Sequence, residues 1–130
     1  AGAESGKRRE YAVKNLPDLQ ARDIGSKTIA LYSKLISSAK TIYVKGPLGV
    51  YEDPLFEKGT REIFLAVAGN SSAFSLCGGG HSTSALEKFG IPLEKISHIS
   101  LSGGAMVEFL QGKKLPGVEA LKESRKLFGP

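Results

Sequence analysis

From Asp23 onward the apolar positions switch repeatedly between a helical and a strand-like period. Ile29, Tyr32, Leu35, Ile36 and Ala39 recur at helical spacing behind Ser26, a hydroxyl suited to an N-cap. Thr41-Ile42-Tyr43-Val44 is a short β-prone run, closed by the loop Lys45-Gly46-Pro47-Leu48-Gly49. Ile63, Phe64 and Val67 restore helical spacing over residues 60–68, and Gly69-Asn70 stops it. A second strand is predicted over residues 72–77, then three glycines and a helix to Phe89 with Ala85 and Leu86 on its apolar side. Gly90-Ile91-Pro92 ends that helix. A third strand follows over residues 96–101, and Ser102-Gly103-Gly104-Ala105 opens a helix with Met106, Phe109 and Leu110 on its apolar face. Pro116 suits the first turn of a last helix carrying Val118 and Leu121. Residues 1–22 show little periodicity and read as a loose N-terminal segment. Within it, Tyr11-Ala12-Val13 is a candidate strand and Leu16-Pro17 begins a loop.

Strands alternating with helices imply right-handed crossovers and a parallel sheet. The predicted class is therefore α/β: a partial doubly wound parallel sheet with flanking helices, a fragment of a Rossmann-like domain. Parallel strands bring the turns Gly46/Gly49, Gly78–Gly80 and Gly103/Gly104 to one edge, the carboxyl edge at which open α/β sheets bind ligands. Glycines there admit a phosphate close to the backbone, and a helix opening after them offers unpaired N–H groups. The same glycines also suit tight turns that bind nothing.

Composition narrows the setting. The 130 residues suit one domain, with 41% hydrophobic and 24% charged residues as in ordinary globular chains. No apolar run approaches the ~18 residues of a membrane span, and the single cysteine, Cys77, fits a reducing cytoplasm. The net charge of +5 gathers near the ends, at Lys7, Arg8, Arg9, Lys14, Lys122, Arg125 and Lys126. With no aromatic-rich strand beside them, these read as solvated ends and predict no nucleic-acid or membrane partner. Neither G-x-x-x-x-G-K-[ST] nor a strand-linked G-x-G-x-x-G occurs, and no Cys or His pair has zinc spacing. His98 reads as a satisfied strand histidine. Ser82, His98 and Glu108 have no spacing that would fix them as a triad.

Gly46-Pro47-Leu48-Gly49-Val50-Tyr51-Glu52, Gly78-Gly79-Gly80-His81-Ser82 and Gly103-Gly104-Ala105 together resemble the nucleotide-binding domain of the phosphoglycerate kinases. Asp23-Ile24-Gly25-Ser26-Lys27-Thr28 before them and Leu115-Pro116-Gly117-Val118-Glu119-Ala120-Leu121 after them match in the same order, so the likeness spans residues 23–121. The resemblance implies that residues 23–130 are the C-terminal portion of that domain. The family passes a phosphoryl group between 1,3-bisphosphoglycerate and ADP, giving 3-phosphoglycerate and ATP with magnesium, in glycolysis. Its phosphoglycerate site lies on an N-terminal portion outside these residues, so this chain alone is expected to be inactive.

By matched position, Pro47 and Val50 would line the nucleotide pocket and Glu52 would take the ribose hydroxyls. Gly78, Gly79, Gly80 and the Ser82 position would hold the phosphates. Gly80, Gly103 and Gly104 would face the transferring phosphoryl group. Lys45 and His81 fall in the same nucleotide-contacting set but depart from the family pattern, where asparagine is usual at the first and a metal-linked aspartate at the second. The chain departs again at Ser102 and at Arg22, a position commonly apolar near adenine. No metal ligand is assigned. The reading from another class is a non-catalytic α/β binding module with purely structural glycine turns. A sheet begun partway also predicts an exposed edge through which the chain associates with itself.

Overall fold

The computed structural model describes every residue except Ser5, Leu19 and Pro130. The elements run β1 (Gly2–Glu4), β2 (Lys7–Arg9), α1 (Ser26–Ser38), β3 (Thr41–Lys45), α2 (Lys58–Gly69), β4 (Phe74–Gly78), α3 (Gly80–Lys88), β5 (His98–Ser100), α4 (Gly103–Leu110) and α5 (Pro116–Phe128). The sheet β3-β4-β5 is parallel throughout, with helices in both crossovers, as the alternating periods predict. Its register sets Lys45 opposite Gly78, and Gly78 opposite Ser100. The three strands therefore end level, and the glycine turns that follow them stand side by side.

Residues paired in a parallel register share a face. Ile42, Val44, Cys77 and Ile99 lie on one face, where Phe64 and Val67 of α2 and Ala85 and Leu86 of α3 close the core. Phe64 and Leu86 are completely enclosed, and each contributes about 1.5–3 kcal/mol by leaving water. On the opposite face Tyr43 and Phe74 remain 40% and 54% exposed.

The predicted helices form, but their ends are held from far along the chain. Gly25, not Ser26, occupies the N-cap of α1. The N–H and hydroxyl of Ser26 both donate to Glu10 Oε2, at 2.8 and 2.6 Å. The buried carboxylate of Asp23 does the same for α2, accepting the Gly59 N–H at 3.0 Å. Asn70 closes the other end of α1 by donating to the carbonyls of Ile36 and Ala39. These contacts satisfy terminal groups that a helix cannot pair internally.

The N-terminal expectation needs correction. β1 and β2 pair antiparallel where residues 1–6 suggested a loose end, and residues 13–15 form a 3-10 turn where Tyr11-Ala12-Val13 suggested a strand. Among the described residues, charge fastens this pair of strands to the rest of the chain. Arg8 donates to Glu10 and to the Ile24 carbonyl at 3.1 Å, and lies 3.5 Å from the Asp23 carboxylate. The Ala1 carbonyl accepts the amides of Arg22 and Asp23.

The Ser26 hydroxyl pulls the Glu10 carboxyl down to about 2, outweighing the opposing effect of burial, with the Ser26 N–H and Arg8 assisting. A pKa lower in the folded state adds stability above the unfolded value of about 4.3, and that stability is lost as pH falls toward 2. The side chain is 32% exposed, so solvent screening leaves about 1 kcal/mol. Glu10→Gln is expected to cost that amount at pH 7 and to flatten the loss between pH 5 and pH 2. Denaturant titrations with the same acid profile for both proteins would refute this.

Candidate functional site

The loop leaving β3 is held at every backbone donor it possesses. Gly46, with φ at 82°, donates its N–H to Ser82 Oγ at 2.9 Å. Leu48 and Gly49 both donate to Thr60 Oγ1, at 3.1 and 3.2 Å. Val50 donates to the Arg22 carbonyl at 2.8 Å, and Pro47 has no N–H. What the loop presents outward is its side chains, which border a cavity of about 380 Å³ lined by Pro47, Leu48, Val50 and Arg22, among others. The Arg22 guanidinium lies 5.6 Å from the Phe56 ring centroid, within cation–π range. Pro47 and Val50 both border this cavity. Lys45 and Glu52 stand exposed at the two ends of the loop and do not line it.

The other glycine turns form a second centre. Gly79 adopts φ 96° and ψ 149°, a region glycine alone takes readily, and its N–H donates to the Ser100 carbonyl at 2.8 Å. A Cβ on Gly103 would lie 3.2 Å from the Gly79 Cα, so the two turns touch backbone to backbone. From this contact α3 and α4 open next to each other. The amides of Gly80 and His81 on one, and of Gly103, Gly104 and Ala105 on the other, have no acceptor among the described residues. Neither helix has a side-chain cap or an acidic residue in its first turn. Unpaired amides at the positive end of a helix attract anions.

Ser82 behaves differently from its expected role. It is fully enclosed; its hydroxyl donates to the Gly78 carbonyl at 3.1 Å while accepting from Gly46, and its N–H donates to the Gly79 carbonyl. The side chain staples the first glycine turn to the second and has no donor left for a phosphate. The same bonds remove it from any triad with His98, which stands exposed in β5. His81 is exposed in the first turn of α3. Burial pushes the Cys77 thiol up, against a smaller opposing effect of the Ser82 hydroxyl.

Among the described residues no group of three or more His, Cys, Asp or Glu could hold a metal ion. The segments 78–82 and 102–105 contain no carboxylate. Magnesium takes oxygen ligands, so this donor set fits a phosphate and does not fit a magnesium ion ligated by protein. Sequence reasoning passed over Thr60, which holds the first loop, and the Asp23 carboxylate, which holds the start of α2 beneath it. The available signal was a pair of glycines, Gly49 and Gly59, both packed against that carboxylate.

A family model described as phosphoglycerate kinase matches residues 2–113. A phosphoglycerate kinase of Koribacter versatilis is 58% identical over 101 residues, covering 78% of this chain and 25% of that protein. One of Thermoplasma acidophilum is 48% identical over 124 residues, covering 95% and 30% respectively. The crystal structure of phosphoglycerate kinase from Pyrococcus horikoshii OT3 superposes with a TM-score of 0.74 at 43% identity, covering 85% of this chain and 27% of that one. The chain spans between a quarter and three tenths of the length of these relatives.

Proposed function

The chain belongs to the phosphoglycerate kinase family, and from that membership we propose that it binds ADP and ATP as the nucleotide-holding portion of such an enzyme. The observation that carries the reading is the paired opening of α3 and α4, with unpaired amides on both. In this role Gly78 and Gly79 give a phosphate chain room to approach, and the Gly80 and His81 amides donate to its oxygens. The Gly103 and Gly104 amides, with that of Gly80, face the phosphoryl group passed between 1,3-bisphosphoglycerate and ADP. Charge in that transfer spreads over the equatorial oxygens, which fixed N–H donors stabilise without proton chemistry. Pro47 and Val50 supply apolar walls to the nucleoside, Glu52 accepts from the ribose hydroxyls, and Lys45 adds positive charge at the loop's start. Magnesium, in this reading, is carried by the nucleotide's own phosphates and water. The remaining portion of the enzyme is the partner that brings phosphoglycerate, in a cytoplasmic, glycolytic setting.

Calorimetric titration of the 130-residue chain with ADP, with and without magnesium, tests the reading. Saturable binding is expected in both arms. No saturable heat at millimolar ADP would overturn it and leave a binding module with structural glycine turns. His81→Asp is expected to raise affinity for magnesium–ADP relative to free ADP, because it places an oxygen donor beside the phosphates. Superimposable curves would reduce His81 to the start of a helix.

Self-association is the second expectation. An apolar groove of about 390 Å³ runs along β3, lined by Tyr32, Leu35, Ile36 and Tyr43, among others. β3 has no strand partner on that side among the described residues. An unpaired edge beside apolar surface invites pairing. Sedimentation at rising micromolar concentration is expected to show a growing dimer fraction, and a monodisperse monomer throughout would count against it.

A further inference from the structure

We propose that Thr60 is a positioning residue for the nucleoside cavity, clamping residues 46–50 in a ligand-ready shape before any nucleotide arrives; this rests on the nucleotide reading above. Thr60 is completely enclosed, and its Oγ1 accepts two neighbouring amides of the loop, Leu48 and Gly49. A hydroxyl oxygen has two lone pairs, so the clamp uses its full accepting capacity. The clamp stands on a fixed support. Thr60 lies in the first turn of α2, next to Gly59, whose N–H is held by the buried Asp23 carboxylate. Arg8 of β2 supplies charge to that carboxylate from 3.5 Å.

The space open to a released loop makes the clamp functional rather than merely stabilising. Behind Gly49, a Cβ would stand 2.5 Å from Asp23 Oδ1, 2.8 Å from the Phe56 carbonyl oxygen and 2.9 Å from the Arg22 carbonyl oxygen. At Gly49 the loop is seated closely against these atoms, with no room for a side chain. Released from Thr60, Leu48 and Gly49 have the cavity they line as open space to shift into. That motion takes up the space a nucleoside needs, so preorganisation is lost where affinity depends on it.

Thr60→Val keeps the shape and removes the acceptor, while Thr60→Ser keeps both the oxygen and its reach. In the 130-residue chain without ligand, Thr60→Val is expected to speed hydrogen exchange at the Leu48 and Gly49 amides. It should weaken ADP binding by about tenfold, as loss of a preorganising hydrogen bond does. Thr60→Ser should restore both readings to wild-type behaviour. A Thr60→Val protein with released amides and unchanged ADP affinity would overturn the inference while leaving the nucleotide reading intact. Failure of the wild type to bind ADP would remove the reading, and the inference with it. Should Thr60→Val not fold, the wild type decides: the two amides are expected to be equally protected with and without ADP. Protection that rises about tenfold or more on adding ADP would mean that nucleotide, not Thr60, orders the loop.

Discussion

The purified 130-residue chain, given 1,3-bisphosphoglycerate, ADP and magnesium in a coupled assay, is expected to bind nucleotide and produce no ATP. Phosphoryl transfer of this kind leaves little covalent chemistry to the protein and depends on holding donor and acceptor in line. Positioning can supply about 7–11 kcal/mol of a barrier, corresponding to effective molarities of about 10⁵–10⁸ M. In the proposed site the residues of this chain engage one of the two substrates. The relatives that share its sequence are more than three times as long, and the second substrate is assigned to their remaining portion. The expected result is therefore a split: ADP affinity present, turnover absent by many orders of magnitude. Product formation proportional to the concentration of chain, persisting after any host kinase is removed, would refute it.

How far the sequence discloses the site depends on what holds each part. The strands and helices of the sheet are legible because one-sided burial imposes a period, and Ile63, Phe64 and Val67 or Ala85 and Leu86 display it openly. The level ends of β3, β4 and β5 follow from parallel pairing, so the meeting of three glycine turns is legible too. The pairing of β1 with β2 is not, because Arg8, Glu10 and Asp23 fasten it and a charge has no periodic signature. Long-range caps escape for the same reason: Glu10 and Asp23 look like any surface carboxylate until the chain folds back.

Ser82 and Thr60 are the instructive misses. Ser82, Ala85 and Leu86 fall at i, i+3 and i+4, and so do Thr60, Ile63 and Phe64. In each helix the hydroxyl residue continues the apolar stripe by one turn toward the N-terminus, and all six residues are buried. A polar residue on that side must find a partner inside the protein, and in both cases the partner is an amide of the loop that follows β3. His81, one step round the helix from Ser82, stays exposed. Helical phase separates a residue that builds the site from one that faces it, and hydroxyl chemistry alone does not.

The second large effect is expected at Gly49, where Ala should destabilise the chain by about 3 kcal/mol or more. The cost is not conformational, since Gly49 does not occupy the left-handed region. It is steric and has nowhere to go. The added methyl would lie within 3.0 Å of three oxygens, two of them backbone carbonyls of Arg22 and Phe56. The third, Asp23 Oδ1, is held by the Ile24 N–H at 2.8 Å, while Oδ2 holds the Gly59 N–H. Making room therefore means lifting the loop off Thr60 or pulling Asp23 from the start of α2, and either leaves buried polar groups without partners. Against a total stability of about 5–15 kcal/mol for a domain, such a loss is a substantial fraction. Gly69→Ala, at the last residue of α2 with nothing within 4 Å of the added carbon, is the control and should be neutral or slightly stabilising. Urea denaturation of the three proteins measures the difference. A Gly49→Ala protein within about 1 kcal/mol of wild type would show that the loop can leave Asp23 and Thr60 at little cost, and the case for a preformed nucleoside cavity would fail with it.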